Sequence, residues 1–115
     1  SLRMISIPVT VETIGDDSFR DCHSLVDVYL PGGLKSIGRQ AFDGCRLLGN
    51  VKLPLELRTI GIAAFIGCKS LSSIAIPTTM ETIEGAAFGD CEWLFDVQLH
   101  EGIKRIEANA FACCS

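Results

Sequence analysis

No run of 18 or more consecutive apolar residues occurs in this 115-residue chain, so no segment reads as a membrane-spanning helix. Basic clusters are also missing. The ten lysines and arginines are dispersed among 14 acids, and the net charge is −4. Nucleic-acid binding calls for a basic stripe or patch, and this chain has none. Residues 1–10 lack the basic start, apolar centre and small-residue cleavage site of a secretory leader. That lack does not say where the parent protein resides. Charge is sparse, at 21% of residues, while 48% are hydrophobic and the mean hydropathy is +0.35. Such a composition buries a core and does not remain disordered.

What the chain does have is periodicity. Phe19, Phe42, Phe65, Phe88 and Phe111 are spaced by 23 residues, as are Cys22, Cys45, Cys68, Cys91 and Cys114, and Ile14, Ile37, Ile60, Ile83 and Ile106. Five repeats (2–24, 25–47, 48–70, 71–93 and 94–115) therefore account for the chain as one array. A strict period without insertions points to a solenoid. The chain starts and stops inside the pattern, and its end coils would expose Ile5 and Val97. It is accordingly read as a piece of a longer array.

With Leu25 as position one, position four holds Ile5, Val28, Val51, Ile74 and Val97, and position six holds Ile7, Leu30, Leu53, Ile76 and Leu99. Residues two apart share one face of a strand, so both positions point inward. Pro8, Pro31, Pro54 and Pro77, with His100 in the last repeat, follow at position seven. Proline lacks the N–H that a ladder needs, so the strand should end there. A second short extended piece is expected around the isoleucine, and then a helical turn of one or two windings, of 3₁₀ type, carrying the phenylalanine. Position twenty holds Asp21, Gly44, Gly67, Asp90 and Cys113, and glycine or aspartate there suits a left-handed backbone. Position fourteen holds Gly15, Gly38 and Gly61 but then Glu84 and Glu107, so it cannot demand positive φ.

A single coil rests its inward groups on the coils above and below it, so stacking is obligatory. The strands at Ile5, Val28, Val51, Ile74 and Val97 should join one parallel sheet, with phenylalanine, isoleucine and cysteine ladders inside.

The pattern Leu-x-x-Val-x-Leu-Pro followed by Ile-Gly-x-x-Ala-Phe-x-x-Cys is clear in Leu25 to Cys45. It resembles the BspA-like, or Treponema pallidum type, class of leucine-rich repeat, and the resemblance runs through all five repeats. It implies a leucine-rich repeat solenoid of right-handed coils, with a curved parallel sheet and irregular or 3₁₀ turns opposite. His100 for proline, Glu84 and Glu107 for glycine, and Cys113 for glycine depart from the pattern. Members of the class resemble bacterial surface adhesins and antigens and repeat arrays of unicellular eukaryotes. The resemblance therefore favours a cell-surface location and a protein partner whose identity it does not supply.

Chemistry is hard to find in these residues. Five of the six cysteines share one repeat position, which marks buried reduced thiols acting as small hydrophobes; Cys113 stands outside that ladder. His23 and His100 fall at different repeat positions, so four converging zinc ligands are not assembled. No triad or carboxylate dyad is recognisable, and neither a cofactor nor an enzymatic activity is expected.

Binding is the remaining function. Outward positions three, five and seven give Asp27, Tyr29 and Pro31; Asn50, Lys52 and Pro54; Ser73, Ala75 and Pro77; and Asp96, Gln98 and His100. They vary where the core is monotonous, and the resemblance implies that they floor the concave face. Tyr29 is the expected anchor, with Lys52 and Asp96 orienting a partner. Trp93 and Phe95 flank Leu94 where other repeats have Ser24, Leu47 or Ser70, and Arg3, Val26, Gly49 or Ser72. They are either half-buried at the strand entrance or exposed as an aromatic anchor. Repeat three carries Lys52, Arg58 and Lys69 against Glu56, and repeat four carries Glu81, Glu84, Asp90 and Glu92 with no base. That step in charge is either a solvated outer face or a means of fixing a partner's register. The competing function is a structural spacer that binds nothing.

Overall fold

The computed structural model describes residues 3–107 and 109–112. Leu2, Cys113 and Cys114, which the repeat pattern singles out, lie outside them. The strand expectation holds in every coil. β1 (Met4–Ser6), β3 (Asp27–Tyr29), β5 (Asn50–Val51), β7 (Ser73–Ala75) and β9 (Asp96–Gln98) contain the five position-four residues. All pairing on this face is parallel, with Ile5 opposite Val28, Val28 opposite Val51, and Ile74 opposite Val97. A second face is built by β2 (Thr13–Ile14), β4 (Ser36–Ile37), β6 (Thr59–Ile60), β8 (Thr82–Ile83) and β10 (Arg105–Ile106).

One expectation needs correction. The strands do not form a single hydrogen-bonded sheet. β1-β3-β5 and β7-β9 are separate blocks, as are β2-β4-β6 and β8-β10. Both ladders are interrupted at the same place, between the third and fourth coils. The seam does not reach the third face, where Ala63, Phe65 and Gly67 donate to the carbonyls of Gly85, Ala87 and Gly89 at 3.0, 2.8 and 2.9 Å. The Thr79 hydroxyl, from the fourth coil, reaches the carbonyls of Leu55 and Leu57 in the third.

That third face also departs from the sequence reading. Among the described residues it contains no helix. It is a run of single turns, with Ser18, Arg20 and Cys22 donating to the carbonyls three residues back. The intervening Asp17, Phe19 and Asp21 donate instead to Arg39, Ala41 and Asp43 of the next coil. The cause is backbone handedness. Position sixteen, at Asp17, Gln40, Ala63, Ala86 and Asn109, takes positive φ between 54° and 62°. Position twenty does so too, at Asp21, Gly44, Gly67 and Asp90. A left-handed residue every fourth place prevents a right-handed helix from continuing.

The core is the set of ladders. Phe42, Phe65 and Phe88 are fully buried, as are Cys45, Cys68 and Cys91. Successive phenylalanine rings are stacked with centroids 5.1–5.4 Å apart and planes within 8°. Gly38 and Gly61 are required by close approach and not by φ. A Cβ on Gly38 would lie 2.6 Å from Asp16 N, and one on Gly61 2.6 Å from Arg39 N.

Candidate binding surface

The strands end where the prolines lie, and there the structure redraws the outward face. Pro31, Pro54 and Pro77 are buried and do not floor it. The reason is that alternation stops at position six. The proline opens a turn, and its carbonyl accepts the N–H three residues on, as in Leu34 to Pro31 at 3.1 Å and Leu57 to Pro54 at 3.2 Å. His100 keeps that turn, its carbonyl accepting Ile103 N–H at 3.3 Å. Its ring is committed to backbone, with Nδ1 accepting Gly102 N–H at 3.0 Å and Nε2 2.7 Å from Met80 O. With Nδ1 as acceptor, Nε2 carries the proton and donates to that carbonyl. His100 is therefore a turn residue and does not join the open surface.

Positions three and five behave as outward positions. Tyr29, Asn50, Lys52, Ser73, Asp96 and Gln98 are exposed, while Asp27 is half-buried. Asn50 Nδ2 donates to Asp27 Oδ1 at 2.6 Å, which ties two coils together and satisfies the carboxylate. Tyr29, Asn50, Lys52 and Ser73 line one shallow recess of about 200 Å³. Tyr29 and Lys52 also border a second, of about 360 Å³, whose walls are Leu30, Leu53, Pro54 and Leu55. The phenol and the ammonium thus stand between two adjoining hollows. No acid pairs with Lys52 among the described residues.

Leu55 was not anticipated. It is 80% exposed. The available signal was its place at position eight, where other coils carry Val9, Gly32, Thr78 and Glu101, so no packing rule calls for leucine there. Trp93 and Phe95 are not half-buried; they are 69% and 75% exposed. They flank the buried Leu94 at the entrance to β9, away from the recesses at Tyr29.

A larger groove, about 430 Å³, crosses the second face over Gly15, Gly38 and Gly61, between Arg39 and Glu84. Much of its floor is glycine backbone, and Asp16 Oδ1 accepts Arg39 N–H at 2.8 Å. Where Gly38 and Gly61 floor it the backbones of neighbouring coils are in close contact, so a partner meets mainly backbone there and the groove ranks below the Tyr29 recesses as a recognition site.

The thiols are interior. Cys45, Cys68 and Cys91 donate from Sγ to the carbonyls of Phe19, Phe42 and Phe65 at 3.1–3.3 Å, and Cys22, Cys45, Cys68 and Cys91 form no disulfide with one another. Burial pushes the Cys45 thiol up to about 12 and the Cys68 thiol well above its ordinary value. These are inert groups. Among the described residues no cluster of histidine, cysteine or acid could hold a metal ion.

A family model for the BspA-type leucine-rich repeat region matches residues 1–115 in six copies. The chain belongs to the BspA-type leucine-rich repeat family. This leucine-rich repeat array is similar to solved structures of bacterial proteins. A leucine-rich cell surface protein of Faecalibacterium prausnitzii is 32% identical with a TM-score of 0.90, over 98% of this chain and 31% of that one. The pneumococcal vaccine antigen PcpA is 25% identical with a TM-score of 0.86, over 98% and 28%. The Treponema pallidum leucine-rich repeat protein is 26% identical with a TM-score of 0.71, over 91% and 60%. The array thus spans about a third of the length of two of these relatives and 60% of the third. No curated protein matches it.

Proposed function

We propose that this leucine-rich repeat array is a protein-recognition module of an adhesive or scaffolding surface protein, and that it binds through the face of its first sheet. The observation that carries the reading is the convergence of Tyr29, Asn50, Lys52 and Ser73, from three coils, on adjoining recesses with apolar walls. Recognition sites combine an apolar hollow with a few polar groups that fix orientation. Lys52 supplies an uncommitted charge there and Tyr29 a large amphipathic contact. The similarity to a cell surface protein and a vaccine antigen agrees with a location where protein partners are met. Asp96 and Gln98 extend the same face along β9.

A spacer is the second reading, and one observation favours it. Several surface ion pairs join neighbouring coils and serve the stacking itself: Glu12 with Lys35 at 3.9 Å, Lys69 with Glu92 at 3.0 Å and Glu81 with Lys104 at 3.3 Å. Capture of extracellular host proteins and of copies of the chain itself separates the two readings. Tyr29→Ala and Lys52→Glu should each lower capture about tenfold, the loss typical of a hot-spot residue, and Arg39→Glu on the second face should not. Capture lost through Arg39→Glu but kept by both strand-face variants removes the proposal. No capture by any variant or by the parent chain leaves the spacer.

A further inference from the structure

Residues 70–103 contain Glu81, Glu84, Asp90, Glu92, Asp96 and Glu101 and no lysine or arginine. The lysines that bound this stretch are already engaged, Lys69 with Glu92 at 3.0 Å and Lys104 with Glu81 at 3.3 Å. Among the described residues no cation pairs with Asp90, Asp96 or Glu101. Within this anionic stretch stand the two most exposed aromatic residues of the chain, Trp93 at 69% and Phe95 at 75%. Leu94 between them is buried in the core, while Trp93 and Phe95, which precede β9, are both exposed.

Packing does not ask for aromatic groups here. The same two positions hold Ser70 and Ser72 in the preceding coil, and Leu47 and Gly49 in the one before. Ser72 is the direct neighbour beneath Phe95, whose N–H donates to its carbonyl at 3.1 Å. Small residues on that side leave the ring faces toward the preceding coil uncovered.

The chemistry of an occupant follows from the two features together. An uncovered aromatic face is negative and attracts ammonium and guanidinium groups. The carboxylate of Asp96, next to Phe95, adds charge of the same sign. A wholly apolar partner would cover the rings but strand carboxylates without counter-charges. An acidic partner is repelled, and so is a second copy presenting the same stretch. We infer that Trp93 and Phe95 form a docking site for a cationic, apolar-rich polypeptide segment of a partner protein, with Asp96 as its first counter-charge. This rests on the protein-recognition reading but uses a different part of the strand side from the Tyr29 recesses.

Trp93 is the one tryptophan of the chain, so its emission reports on this site alone. The probe is a synthetic peptide of alternating leucine and lysine, compared with a leucine–glutamate peptide of equal length. The lysine peptide should shift Trp93 emission to shorter wavelength with a saturable, salt-sensitive titration, and the glutamate peptide should not. Phe95→Ala and Asp96→Asn should each weaken binding about tenfold, while Tyr29→Ala leaves it unchanged. A Trp93→Ala/Phe95→Ala double variant, followed by calorimetry and checked for folding by circular dichroism, should lose the interaction. If it binds the lysine peptide as tightly as the parent chain, the carboxylates act alone and the inference is overturned. Equal binding of the glutamate peptide, an unchanged Trp93 spectrum, loss of binding through Tyr29→Ala, or self-association of the free chain through Trp93 would each overturn it too. None of these results touches the capture experiment at Tyr29 and Lys52, so the two readings fail separately.

Discussion

Phe65 has a stacked ring on either side, Phe42 at 5.1 Å and Phe88 at 5.4 Å, and no exposed surface. Phe65→Ala should therefore cost about 3–5 kcal/mol, the usual loss for a buried phenylalanine whose cavity cannot collapse. An unchanged urea midpoint would show that the ladder is not a source of stability. The cysteines beside it make a pH prediction. Burial, the largest cause, holds the Cys45 thiol protonated up to about 12, against 9.0 for an ordinary thiol. The unfolded chain loses that proton first, so the folded state is penalised as pH rises from about 9 to 12 and levels off beyond. Below 9 the thiol is protonated in both states and adds no slope. Unfolding at stepped pH should show this alkaline fall, and Cys45→Ala should reduce it by up to about 1.4 kcal/mol per pH unit. Identical slopes in the two proteins would contradict a thiol protonated by burial. The interior place of Cys45, Cys68 and Cys91 was legible from their period. The left-handed backbone at position sixteen was not, because Asp17, Gln40, Ala63, Ala86 and Asn109 share no residue type. Position twenty announced itself through glycine and aspartate; position sixteen is imposed by the turns on both sides, and alanine tolerates it at a cost of roughly 1–2 kcal/mol.

The strands are two or three residues long, and their stability lies in what they stack on. Sequence located all five first-face strands because Ile5, Val28, Val51, Ile74 and Val97 recur in register. It did not reveal the seam, because no residue is inserted or deleted there. Glu84 carries a side chain where Gly38 and Gly61 have none, yet Glu107 does too, and its N–H still reaches Ile83 O at 2.7 Å. The side chain at position fourteen is thus not enough to open a ladder. Hydrogen exchange gives the seam a measurable consequence. Gly49 and Phe95 donate to the coil before them at 3.0 and 3.1 Å, and Gly61 and Glu107 at 2.8 and 2.7 Å. Ser72 and Glu84 occupy the same two positions in the fourth coil, where neither ladder continues to the third. Their amides should exchange at least about tenfold faster than those of Gly49 and Gly61, since a locally open bond has little protection. Equal protection would mean that both ladders run unbroken in solution.

The backbone ladders of the first two faces divide the array into a stack of three coils and a stack of two, which the third face and one continuous core hold together. Across the seam remain the Phe65–Phe88 contact, the Cys91 thiol bond to Phe65 O, the backbone bonds from Ala63, Phe65 and Gly67, the Thr79 hydroxyl, the exposed Lys69–Glu92 pair and one continuous core that includes Leu57 and Ile60 on one side and Met80 and Ile83 on the other. An exposed pair contributes at most about 1 kcal/mol, so coupling between the stacks rests mainly on the buried core, in which the phenylalanine ladder is the largest contact. Neighbour coupling is what makes a solenoid unfold as one unit. Phe42 and Phe88 are equally buried, yet their loss should have different effects. Phe42 lies inside a stack whose two sheets are intact on both sides, so Phe42→Ala should lower stability without dividing the transition. Phe88 is the fourth coil's aromatic contact across the seam, so Phe88→Ala should weaken the coupling between the stacks. Trp93 belongs to the two-coil stack and reports on it, whereas far-ultraviolet circular dichroism reports on every coil. In the parent chain the two signals should change together in urea, as a single cooperative transition requires. In Phe88→Ala the tryptophan signal should move first, because the smaller stack has one internal interface to the other's two. Coincident curves in Phe88→Ala would mean that the rest of the core and the backbone bonds of the third face couple the stacks without the ladder.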